Sequence, residues 1–138
     1  MRNRSFAARR RIIAGGFFLV ADFVWPAAHA QPTPEQKFPD VIGAQVTPRG
    51  GDRFDFDVTI SSRYDTAQRY ADAFRVLGAD RKVLGERVLL HDHADEQPFT
   101  RDLHGVVIPA GVKSVMIEGR DQKHGWGGKT FDVVLPGR

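Results

Sequence analysis

Cysteine is missing from all 138 residues, so no disulfide, thiolate metal site or cysteine nucleophile is available. No cysteine follows the first 30 residues either, which argues against a lipid anchor of the lipoprotein kind. No apolar run is long: the longest, Ile12 to Trp25, covers about 14 residues with Asp22 inside it, whereas a membrane-spanning helix needs about 20. A permanent membrane anchor is therefore not expected. The usual signatures of catalysis are also lacking, since there is no G-x-S-x-G elbow and no phosphate-cradling glycine loop leading into a helix.

What the chain does have at its start is an export pattern. Arg2, Arg4, Arg9, Arg10 and Arg11 precede the apolar run, and Ala28-His29-Ala30 closes it with the small-x-small motif read by a signal peptidase. Residues 1–30 read as a cleavable signal peptide, and the triple arginine loosely fits a twin-arginine signal. Removing that segment takes five of the 20 basic and one of the 17 acidic residues, leaving 15 against 16. The mature chain thus has no positive surplus and no electrostatic footprint for nucleic acid. An exported protein, periplasmic or secreted, is expected.

Residues 31–39 hold Pro32, Pro34 and Pro39 among polar neighbours, a composition that buries too little apolar surface to offset ordering and reads as a flexible tether. Beyond it the chain falls into short segments of period two. Phe54, Phe56, Val58 and Ile60 alternate with Asp55, Asp57, Thr59 and Ser61, which puts four apolar side chains on one face of a strand. The same reasoning gives strands at 40–48, 53–61, 70–77, 82–90, 99–108, 112–121 and 129–135. The third also satisfies a helical stripe through Ala67, Tyr70, Ala71, Phe74 and Leu77. A strand is expected there because Gly78 to Arg81 supplies a hairpin loop between Val76-Leu77 and Val83-Leu84. Seven such strands predict one all-β domain, 40–138, built as an antiparallel sandwich.

The run Val106-Val107-Ile108-Pro109-Ala110-Gly111-Val112, with the alternating strand, glycine loop and last strand after it, resembles fibronectin type III and other immunoglobulin-like domains. His91 to Arg101, taken with His124-Gly125-Trp126-Gly127-Gly128, is similar to a family of small exported bacterial proteins without an assigned function. The resemblance implies a seven-stranded immunoglobulin-like sandwich and brings no catalytic residues.

If consecutive strands reverse direction, the second, fourth and sixth connections share one end. Those are residues 62–69, 91–98 and 122–128, and they gather Tyr64, Asp65, His91, Asp92, His93, Asp95, Glu96, His124 and Trp126. Such a rim is where loops on a rigid sandwich often bind. His91 and His93, two apart, project to one side of extended backbone, and Glu96 with His124 completes a set suited to zinc or copper. The same residues equally describe a polar loop with two surface histidines. Trp126, among glycines, is either an exposed stacking platform flanked by Tyr64 or a cap folded over the core. His104 is expected in solvent, and Asp55 and Asp57 on a wet strand face. The leading expectation is a non-catalytic module recognising an envelope protein or glycan through Tyr64, Asp65 and Trp126, and the alternative is a periplasmic zinc- or copper-binding protein.

Overall fold

In the computed structural model, residues 15–16 and 27–138 are described; most of the expected signal peptide lies outside them. The chain divides into two units, Met1–Pro32 and Thr33–Arg138. In the first, residues 27–32 carry no regular secondary structure. In the second, seven strands follow in order: β1 Asp40–Pro48, β2 Arg53–Ser61, β3 Ala71–Leu77, β4 Val83–Val88, β5 Phe99–Val107, β6 Ser114–Asp121 and β7 Gly125–Val134. No helix occurs among the described residues.

All pairings are antiparallel, in two sheets ordered β1-β2-β5 and β4-β3-β6-β7. The alternation in β2 does what its pattern predicts, since Phe54, Phe56, Val58 and Ile60 are all buried. They meet Phe74 and Val76 of β3, Val115 and Ile117 of β6, and Phe99 and Val106 of β5 in one cluster between the sheets. Burial of this kind contributes roughly 1.5–3 kcal/mol per large apolar side chain and takes the place of the disulfide the chain lacks.

The helical stripe in the third segment has a structural cause. A register shift between Ala71 and Ala73 lets Ala71 and Phe74, three residues apart, both enter the core of a strand. The start of β7 departs further from expectation. Residues 125–128 belong to the strand, with Trp126 paired to Arg120 and Gly127 to Gly119; the glycines carry no alternation that would reveal a strand from sequence.

The second half of the expected tether is also part of the fold. Phe38 lies against Gly127, where an added Cβ would come within 2.7 Å of the ring, and Pro39 is buried over Gly119 and Gly128. At Gly128 the backbone has φ +85° and a Cβ would sit 2.1 Å from the Pro39 carbonyl oxygen, so only glycine fits. Composition missed this docking because its partners are some ninety residues further along the chain.

Replacing Phe56, which is wholly buried, with alanine is expected to cost about 3–5 kcal/mol in urea unfolding. A loss below 1 kcal/mol would mean that β2 does not supply the core.

Candidate functional site

The second, fourth and sixth connections, 62–70, 89–98 and 122–124, do meet at one end of the molecule, and hydrogen bonds join them. Asp65, 5% exposed, accepts from the backbone N–H of Ala71 at 3.0 Å and of His93 at 3.0 Å. Gln97 accepts from the Ser62 N–H at 2.8 Å and donates to the His93 carbonyl at 3.1 Å. Asp121, with no exposed surface, accepts from the N–H of His124 at 2.7 Å and of Lys123 at 2.9 Å. Arg69 adds its Nε to the same carboxylate, and Gln122 N–H donates to the Tyr70 carbonyl. Burial opposes ionisation of Asp121, yet the neighbouring Tyr64 hydroxyl, these two N–H groups and Arg69 outweigh it and hold the carboxyl below its ordinary range.

The centre of the rim is thus filled by its own polar groups. Tyr64 turns inward under the Arg69 guanidinium, 4.2 Å from the ring centroid. Its hydroxyl is buried with no well-formed hydrogen bond, and burial, followed by the adjacent Asp121, pushes its pKa up. Of the two residues expected on a binding surface, Asp65 ties the second connection to the fourth and Tyr64 is half-buried with its hydroxyl turned inward.

Of the four expected metal ligands, His91 and His93 lie side by side, while Glu96 and His124 have other partners. His93 is buried and stacked on Phe99 with centroids 3.9 Å apart. Burial lowers its pKa, Arg101 and His91 add to the effect, and its Nδ1 has no partner. His91 lies beside it, 4.8 Å between centroids, with Nδ1 on the Asp92 carbonyl. Glu96 is paired with Arg101 at 2.9 Å, and His124 meets Phe38 edge-on at 6.0 Å. Among the described residues no three histidine, aspartate or glutamate side chains gather in metal-ligating range. The spacing of His91 and His93 was legible, and so was a carboxylate partner for Arg101, but the stacking of one ring on the core was not.

Trp126 stands on the outer face of the four-stranded sheet. Its ring has the Arg75 guanidinium 4.0 Å from its centroid and that of Arg120 at 5.2 Å. Arg75 is held by Glu118 at 2.8 Å and Arg120 by Asp72 at 2.8 Å. The register puts Val88, Ala73, Arg120 and Trp126 in one row across β4, β3, β6 and β7, so their side chains share a face. Val88 is 51% exposed and the adjoining Leu90 83%. Tyr70 holds this end of β4 through a hydroxyl donation to the Leu90 carbonyl, at 3.4 Å.

Asp121 and Arg69 were not singled out from the sequence. Asp121-Gln122-Lys123-His124, an aspartate closing a strand two and three residues before the N–H groups it caps, was the available signal.

On the other sheet, His104 is in solvent as expected but bridges two carboxylates, Asp55 at 3.1 Å and Asp102 at 2.7 Å. Both raise its pKa. Asp55, which accepts from the Gly105 N–H as well as from Arg49 and His104, is held down at about 2.

No family model matches the chain, and no solved structure matches it. It is similar to a protein of Halomicrobium mukohataei named "Putative lipoprotein", 38% identical over 96 residues that make up 68% of this chain and 46% of the relative. The chain therefore spans about half the length of the curated relative it matches.

Asp65→Ala strands two buried N–H donors at about 1–3 kcal/mol each, so a loss of about 2–6 kcal/mol is expected in urea unfolding, and a neutral change would contradict the role given to this carboxylate. The histidines titrate in opposite directions from their ordinary value of 6.5. Stability from neutral His93 is present above pH 6.5 and is lost as pH falls through its lowered pKa; that from charged His104 is full below pH 6.5 and is lost as pH rises through its raised one. Imidazole NMR titration is expected to place the His93 midpoint below 6.5 and the His104 midpoint above it, and the reverse order refutes both assignments.

Proposed function

We propose that this chain is an exported, immunoglobulin-like recognition module without a catalytic step. It takes a protein partner of the cell envelope on the rim-side half of the outer face of the four-stranded sheet. Export is supported by the arginine-led apolar segment and by the name of the relative, in which lipoprotein is said of that protein; this chain has no cysteine to carry a lipid. The immunoglobulin-like reading is supported by the strand order, which places β1, β2 and β5 in one sheet and β3, β6 and β7 in the other, with β4 joined to β3.

The observation that carries the recognition face is the row Val88, Ala73, Arg120 and Trp126, with exposed Leu90 beside it. Aromatic and arginine side chains next to aliphatic surface are the composition of interface anchors. The ion pairs to Glu118 and Asp72 pin Arg75 and Arg120 beforehand, so little side-chain freedom remains to be lost on binding. Arg75 already occupies one side of the indole, which favours a protein over a sugar ring. The rim interior, filled by Asp65 and Asp121, positions the face and does not itself receive the partner.

Photo-crosslinking in intact envelopes tests this reading. A photoreactive residue at position 88 or 90 is expected to give a discrete adduct that Trp126→Ala abolishes, while one at position 47, on the other sheet, gives none. Equal adducts from both sheets, or an adduct indifferent to Trp126→Ala, would refute it.

A further inference from the structure

The segment before β1 is fastened by groups the recognition face does not use. Arg69 donates to the carbonyls of Lys37 at 2.8 Å and Gln36 at 3.3 Å and pairs with Glu35 at 3.2 Å. The Gln36 side chain donates to the Ser61 carbonyl at 2.9 Å. One end of the segment is thus held by the β2–β3 connection. The other end, Phe38-Pro39, sits on a bed of glycines from β6 and β7 where any Cβ would collide, at 2.6 Å for Gly119, 2.7 Å for Gly127 and 2.1 Å for Gly128. Lys129 N–H then donates to Asp40 Oδ1 at 2.8 Å. Residues 33–34, before this segment, are exposed.

We propose that residues 35–39 form a latch that couples the N-terminal tether to the setting of Trp126. Phe38 presses on the backbone of Gly127, the residue after Trp126, and Arg69 shares Asp121 with the N–H groups of the turn that leads into β7. Three glycines in four residues give that stretch of β7 little rigidity of its own. With the latch seated, the stretch is pressed into register against β6 and the indole stays under Arg75. With the latch released, Gly127 and Gly128 lose their cover, and the stretch and its indole gain freedom. The inference rests on the proposed function only for its purpose, the regulation of that face; the latch itself is read without any partner.

The test uses the full chain carrying Trp25→Phe, so that Trp126 is the one emitting indole. Lys37 is exposed but its carbonyl is held, so trypsin is expected to cut the Lys37–Phe38 bond slowly. Phe38→Ala, which leaves the Arg69–Asp121 pair intact, is expected to speed that cut at least tenfold and to shift Trp126 emission to the red, with the circular dichroism of the sandwich unchanged. Arg69→Gln should do the same and, where it also loosens the rim, Phe38→Ala still decides. Unchanged cleavage at Lys37 would show that no latch exists. Faster cleavage with unmoved Trp126 emission would show a latch without coupling. Either result overturns the proposal, and neither bears on whether the face binds a partner.

Discussion

Two carboxylates removed from water, Asp65 and Asp121, govern this end of the molecule. A buried carboxylate without partners is strongly unfavourable, so each must be met by donors that cannot drift away, and the donors here are backbone N–H groups of the connections themselves. Asp65 joins the second connection to the fourth. Asp121 closes the sixth connection on itself and, through Arg69, joins it to the second. Three loops far apart in sequence thereby become one rigid cap, without a disulfide.

That constraint propagates outward in two directions. By fixing the turn 122–124 it sets where β7 begins, and so places Trp126 opposite Arg120 and under Arg75. By immobilising Arg69 against Tyr64 it presents a guanidinium whose remaining N–H groups hold the chain before β1. The outer face of the sheet and the N-terminal segment are in this sense consequences of one buried polar network. Fully satisfied networks of this kind specify a single arrangement.

The strands were legible because alternation is a local property: β1 and β2 have the expected bounds, and the other elements except β7 lie within two residues of them. The convergence of three loops followed from strand reversal alone. What local pattern does not carry is the direction a loop side chain takes. Tyr64, Asp65 and His93 have the chemistry of a binding rim, yet a nearby core and nearby N–H groups draw them inward. Trp126 has the flanking glycines of a mobile loop, yet Gly127 and Gly128 serve close approach of Phe38 and Pro39. Arg69 and Asp121, 52 residues apart in sequence, carry no signal of each other. The stacking of His93 depends on Phe99 being in place first and has no local signal, whereas the pairing of Arg101 with a neighbouring carboxylate is written in the Glu96–Arg101 run.

Amide hydrogen exchange probes the network most directly. The N–H groups of Ala71, His93, Lys123 and His124 all donate to the two carboxylates; the last three lie in loops, where exchange is ordinarily fast. At neutral pH these loop amides should be protected to the degree of the β2 and β6 core strands. If they exchange at the rate of the exposed 79–82 turn, the cap is not rigid, and neither the Trp126 face nor the N-terminal segment is held in the way described.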